Sequence, residues 1–161
     1  MIHVRRAGSL DAKPMAVLLN AIIRTGGTTA FTDEITADTI RGWFTRAPEQ
    51  SVWHVAENES GSILGFQSIE PHPNLPPDAC DIATFVQVGQ TGLGIGSKLF
   101  DASRKAAIAL RYGWINATIR ADNTGGLAYY QSRGFETYAH QRDQQLANGM
   151  IVTKVSKKFD L

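Results

Sequence analysis

The sequence predicts an α/β fold: a mixed, mostly antiparallel central sheet of six to seven strands with helices on both faces. Three observations carry that expectation. Apolar residues alternate with polar ones along some short runs, and they recur at helical spacing along others. Past the middle of the chain, a strand, a glycine-rich turn, a helix and a second strand follow one another.

Ile2 to Arg6 alternates and suits a short first strand. Ser9 or Asp11 is placed to cap a helix, with Pro14 in its first turn. Met15, Leu18, Leu19, Ile22 and Ile23 give that helix one apolar face, and Gly26-Gly27 ends it. After a loop carrying Phe31, Thr36 is placed to cap a second helix striped by Ile40, Trp43 and Phe44. Val52 to Glu57 and Ile63 to Ile69, joined by a turn at Asn58 to Gly61, read as an antiparallel hairpin. Pro71 to Pro77 holds too much proline for regular structure. Cys80 to Val88 is the strand entering the glycine turn, Ser97 to Tyr112 the helix leaving it, and Trp114 to Ile119 the next strand. That unit should be parallel and right-handed. Asn123 is placed to cap a last helix ending at Gly134, and Phe135 to Gln141 and Met150 to Phe159 close the chain as strands.

The totals narrow the function classes. A chain of 161 residues suits a single domain over residues 1–161, and 43% hydrophobic with 19% charged residues is ordinary for a globular protein. A net charge of +1 leaves no electrostatic footprint for nucleic acid or an anionic membrane. No apolar run approaches the ~20 residues of a membrane span. Met1 to Pro14 lacks the apolar core of a signal peptide, so a cytoplasmic location is expected. Cys80 is the lone cysteine; it excludes an internal disulfide and reads as a small buried hydrophobe. The histidines are scattered without ligand spacing, so no metal is expected.

Gly92, Gly94 and Gly96 alternate between a strand and a helix. Glycine lets main-chain N–H groups approach an anion, and the helix N-terminus adds about half a positive charge. Such a turn is a phosphate site, although a tight strand-to-helix turn without a ligand would also use glycine. It is not a P-loop, because Ser97-Lys98 stands in the wrong order. It is not a dinucleotide fingerprint either: both Gly-x-Gly-x-x-Gly registers fail, at Ser97 and Leu99.

Gly92-Leu93-Gly94-Ile95-Gly96-Ser97 resembles the pyrophosphate loop of the GCN5-related N-acetyltransferases, usually Gln/Arg-x-x-Gly-x-Gly/Ala. Gly94 and Gly96 match; Thr91 stands at the Gln/Arg position, with Gln90 one residue early. Asn123, followed by Tyr130-Gln131-Ser132-Arg133-Gly134-Phe135, resembles the family's asparagine and Tyr-x-x-x-Gly-Phe at matching spacing. Thr28 to Glu34, Trp43-Phe44 and Asp81, where glutamate is usual, resemble the branch that includes phosphinothricin acetyltransferase.

The resemblance implies acetyl-CoA as co-substrate, without metal, and direct attack by the primary amine of a small molecule, an amino acid or an analogue. It assigns Tyr130 as the acid that protonates the departing thiolate. Tyr129, about 100° around the helix, is the alternative. Asp81 becomes the proton acceptor, directly or through water, and a substrate contact; it lies in an apolar stretch where desolvation raises basicity. A strand-end Asp that caps a turn or pairs with an arginine is the competing reading. Phe85, Val86 and Val88 would carry the pantetheine arm and an oxyanion N–H. Thr91, Gly92, Leu93, Gly94, Ile95, Gly96 and Ser97 would hold the pyrophosphate, and Asn123 would hold the cofactor or cap its helix. Gly125 and Gly126 suggest close approach to the cofactor. Phe31, Trp43 and the Pro71 to Pro77 connection could line the acceptor side, although Phe31 and Trp43 also read as core. Relatives are often dimers, so a homodimer is implied by analogy. Two alternatives stay open: a protein or peptide N-acetyltransferase, and a non-catalytic acyl-CoA-binding domain.

Overall fold

Side-chain capping starts the helices close to where the sequence places them. The structure, a computed structural model, describes residues 1–90 and 94–161. Asp11 accepts the Gly8 amide at 2.7 Å and closes a short 3-10 turn, Ser9–Asp11, that leads into α1 (Ala12–Thr25). Its carboxylate also takes a bidentate pair from the Arg5 guanidinium at 2.8 Å, which pins the start of α1 to the first strand, β1 (His3–Arg6). Thr36 Oγ1 accepts the Thr39 amide at 3.2 Å and opens α2 (Ala37–Phe44).

The remaining elements are β2 (Val52–Glu57), β3 (Ile63–Glu70), β4 (Ala79–Val86), α3 (Ile95–Ala109), β5 (Trp114–Arg120), α4 (Thr124–Ser132), β6 (Glu136–Gln145) and β7 (Ile151–Asp160). The strands form one seven-stranded sheet in the order β1-β2-β3-β4-β5-β7-β6. Every neighbouring pair is antiparallel except β4 and β5, which are parallel as the strand–helix–strand unit requires. No helix among the described residues is long and apolar enough to cross a membrane.

Strand alternation divides the core between two faces. Met15, Leu19 and Ile40 from α1 and α2 pack on Val55 and Phe66. On the opposite face Phe100 of α3 and Tyr130 of α4 pack with Ile69, Ile82, Ile115 and Phe135. Phe66 lies at the centre of the first layer, fully buried, with its ring 5.0 Å from Phe85 and 6.4 Å from Trp53.

One boundary differs from expectation. α3 begins at Ile95 rather than Ser97, and the chain leaves it near Leu110, before Arg111 turns left-handed at φ +65°. In the C-terminal hairpin β7 pairs with β5, and β6 takes the edge. The reason is burial: Val152, Val155 and Ser156 of β7 are buried, whereas nearly all of β6 is exposed or half-exposed, so the more apolar strand takes the inner position. Removing the Phe66 ring should leave a cavity at the centre of the α1–α2 layer. Phe66→Ala should lower the unfolding free energy by about 3–5 kcal/mol, read by urea denaturation followed through tryptophan fluorescence.

Candidate active site

The parallel pair β4–β5 opens the site. The strands pair from Ala79 and Trp114 only as far as Ile82 and Ala117, yet β4 runs on to Val86 and β5 to Arg120. They part like the arms of a V, and a cleft of about 1160 Å³ fills the gap. On its other side β4 is fully engaged. The Gln87 amide donates to Leu64 O at 2.8 Å, and the antiparallel register then gives the Phe85 and Ala83 main-chain groups to β3. The alternate groups, those of Thr84 and Val86, point into the cleft. Phe85 contributes its ring there rather than its amide, and Val88 lines the mouth just beyond the strand, half-exposed.

Helices α3 and α4 wall one side. Gly94 caps α3 in the left-handed region, φ +77°, a conformation that favours glycine. Gly94, Ile95, Gly96 and Ser97 all line the cleft at the positive end of this helix. Thr91, Gly92 and Leu93, assigned to the same anion grip, lie outside the described residues. Gly96 also has a packing reason to be glycine. A Cβ there would meet Tyr129 Cε1 at 2.6 Å, and Tyr129 Oη donates to Gly96 O at 2.7 Å. The tyrosine ring therefore requires a bare backbone at this position, which still lines the cleft. Gly126 is packed in the same way: a Cβ would come 2.5 Å from Asn123 Nδ2. Asn123 caps α4 by accepting the Gly126 amide at 3.0 Å, and it donates to Thr28 O at 3.1 Å. Both Asn123 and Gly125 line the cleft.

Tyr130 sits where the strands part. It is 6% exposed, and its hydroxyl lies 2.7 Å from Thr84 Oγ1. Gln67 Nε2 donates to that same Thr84 Oγ1 at 2.9 Å and to Tyr129 Oη at 3.1 Å. Burial drives the Tyr130 hydroxyl pKa well above the usual phenol value and pushes Tyr129 up to about 12, so both are protonated at neutral pH. Sequence reading did not single out Gln67 or Thr84. Polar residues at paired positions of two otherwise apolar strands were the available signal.

The opposite wall belongs to the α1–α2 face. Asp81 lies there, accepting from Asn116 Nδ2 at 2.9 Å. It makes no ion pair among the described residues, so the arginine-paired reading does not hold. Burial raises its pKa against the opposing pull of the Asn116 hydrogen bond and of His72. Glu70, directly across β3–β4 from Asp81, is also raised by burial, with Arg46 at 3.0 Å pulling the other way. Asn116 accepts from Tyr138 Oη and donates to Thr118 Oγ1 at 3.1 Å. These residues were missed, although Asn116, Thr118 and Arg120 alternate along one strand, which marks a polar face. Thr28, Thr29 and Ala30 close the cleft from the α1–α2 loop, and His72 and Leu75 from the proline-rich connection. Phe31 packs beside this wall, stacked on Trp43 at 5.6 Å and tilted on Phe85 at 6.4 Å, and Trp43 belongs to the core.

Comparisons with known proteins agree with this geometry. A model of the Acetyltransferase (GNAT) family matches residues 19–135, more than two thirds of the chain. The Bacillus subtilis (strain 168) protein named "Putative phosphinothricin acetyltransferase YwnH" is 25% identical over 134 residues, covering 82% of each chain. Among solved structures, a ribosomal-protein-alanine N-acetyltransferase from Brucella melitensis superposes with a TM-score of 0.90 at 20% identity, over 99% of both chains. A phosphinothricin acetyltransferase from Sinorhizobium meliloti, solved in complex with AcCoA, superposes with a TM-score of 0.89 at 16% identity, over 99% of this chain and 88% of its own. At those identities the structural likeness is one of fold. The family match itself is decisive: this chain belongs to the GNAT acetyltransferases and is an acyltransferase.

Proposed function

We propose that the chain binds acetyl-CoA in the parted β4–β5 cleft and transfers the acetyl group by direct attack of a primary amine on a small molecule, an amino acid or an analogue. The observation that carries this reading is the parting itself, with main-chain groups of Thr84 and Val86 that neither β3 nor β5 takes on one arm and the N-terminus of α3 at the end. An arm containing amides can add to such an edge as an extra strand does. The helix N-terminus suits the pyrophosphate. The coenzyme supplies an activated thioester, and the chain's residues orient it and move protons.

The Val86 N–H, which β3 leaves on the cleft side, serves in this reading as the oxyanion donor. Tyr130 serves as the acid for the departing sulfur. In this reading Thr84 Oγ1 accepts from Gln67 and gives its own hydroxyl proton to Tyr130 Oη, a bond in which either oxygen can be the donor. That arrangement leaves the tyrosine proton free to be donated into the cleft. Asp81 serves as the acceptor of the amine proton, its basicity raised by burial and its orientation held by Asn116. The amine approaches from the α1–α2 face, where Asp81 lies.

Three measurements test the assignment. Coenzyme A should raise the Tm, and a calorimetric titration that gives no binding would overturn the reading. Tyr130→Phe should lower kcat by about 10²-fold with little change in coenzyme affinity; an unchanged kcat removes its role as acid. The acid limb of kcat/KM should lie above the ordinary carboxylate range, with activity falling as pH drops through the raised Asp81 pKa, and Asp81→Asn should abolish that limb. The stability effect has the opposite sense. A folded-state pKa raised above the unfolded value favours the fold below the unfolded pKa, and that contribution is lost as pH rises through the folded value. Asp81→Asn should therefore raise the Tm at neutral pH while it slows turnover, and a Tm that falls would show the carboxylate to be a structural support.

A further inference from the structure

The acceptor half of the cleft carries charge at both ends. Asp81 lies at one end, opposite Asn116 in the β4–β5 register. At the other end β5 and β7 place Arg120 and Lys154 side by side. All of these residues line the same cleft. The two cations are not equivalent. Arg120 is 7% exposed and fully committed: it pairs with Asp122 through two nitrogens at 3.0 and 2.7 Å and donates to Thr29 O at 3.1 Å. Its charge is balanced and its donors hold the α1–α2 loop in place. Lys154 is half-buried and has no carboxylate within 4.0 Å among the described residues. Its cross-strand neighbour on β6 is Gln141, whose amide is already given to Ser156 Oγ at 2.7 Å. A lysine in a partly desolvated wall, beside a second cation and without an anion of its own, is a charge the fold leaves uncompensated.

We infer that Lys154 determines acceptor specificity by binding a negatively charged group, a carboxylate or an equivalent anion, at the far end of the amine substrate. The inference rests on the acetyltransferase reading above. Four residues of β5, from Asn116 to Arg120, separate the two ends, about 13 Å at the usual strand rise. The acceptor lies lengthwise along the sheet, its amine at the Asp81 end and its anion several bonds away. Lys154 has three donors on a flexible four-carbon stem and follows acceptors of somewhat different length. A second ammonium at that end would face Lys154 and be rejected.

The test uses three acceptors of one chain length: 6-aminohexanoate, hexylamine and 1,6-diaminohexane. Each is assayed with acetyl-CoA by thiol release. Wild-type kcat/KM should fall by about tenfold or more from the acid to the neutral amine, and further to the diamine. Lys154→Met should bring the acid and the neutral amine within about twofold of each other, and Lys154→Glu should make the diamine the preferred acceptor. Coenzyme A titrations of both variants confirm that they fold. Equal use of the three acceptors by the wild type, a preference that survives Lys154→Met, or coenzyme binding without acetylation of 6-aminohexanoate overturns the inference and leaves the family activity standing. Absence of coenzyme binding in the wild type overturns the acetyl-CoA reading itself.

Discussion

The functional geometry depends on two neighbouring parallel strands that stop pairing halfway along their length. A parallel pair normally satisfies its main-chain groups continuously, and leaving such groups unmet in a protein interior costs about as much as a lost hydrogen bond each. Here the parting is wedged open by specific packing. Tyr130 fills the crotch from α4 and is held by Thr84, while Gln67 reaches from β3 to tie Thr84 and Tyr129 together. Tyr129 in turn clamps the first turn of α3 through Gly96. Four elements therefore meet at one small polar cluster, and the cleft is as rigid as that cluster.

The same cluster explains the two adjacent tyrosines. Their rings lie 4.9 Å apart and their hydroxyls meet the same cluster through different partners. Tyr129 is structural: its ring occupies the space a Cβ at residue 96 would need, and its hydroxyl is used on a main-chain carbonyl. Tyr130 keeps its hydroxyl at the cleft and is held neutral by burial. Asp81 shows the reverse electrostatic choice. Its carboxyl is half-buried beside Asn116 with no cation paired to it among the described residues, an arrangement that costs stability when it ionises. A fold that required only stability would have placed a cation there. Retention of an unpaired, half-buried acid at the edge of a cleft is the pattern expected of a group kept for proton transfer.

The fold was legible because its signals are local. Caps such as Thr36, the stripe from Met15 to Ile23 and the short turn at Asn58 to Gly61 each act within a few residues, and the elements formed where those residues stand. Which of β6 and β7 lies inside was not legible, because that depends on competition for burial between two strands of similar length. Gly94 could be read as a special backbone position and is one. Gly96 and Gly126 could be recognised as glycines without their reason being visible, since the atoms that exclude a Cβ belong to Tyr129 and Asn123, which are elsewhere in the sequence.

The two halves of the cleft were unequally readable, and the difference is physical. The half walled by α3 and α4 works largely through main-chain groups, and main chain imposes its demands on sequence as glycines and as a fixed spacing between a loop and a helix. The other half is assembled from alternate residues of β4, β5, β6 and β7 together with two loops. No two of its contributors need stand at a fixed spacing across elements, and each side chain can be exchanged while the backbone stays in place. A family can therefore keep one thioester grip while its acceptors diverge. In this chain the acceptor side draws on strand residues such as Asn116 and Thr118, whose trace in the sequence is a polar residue at every second position of a strand that otherwise belongs to the core.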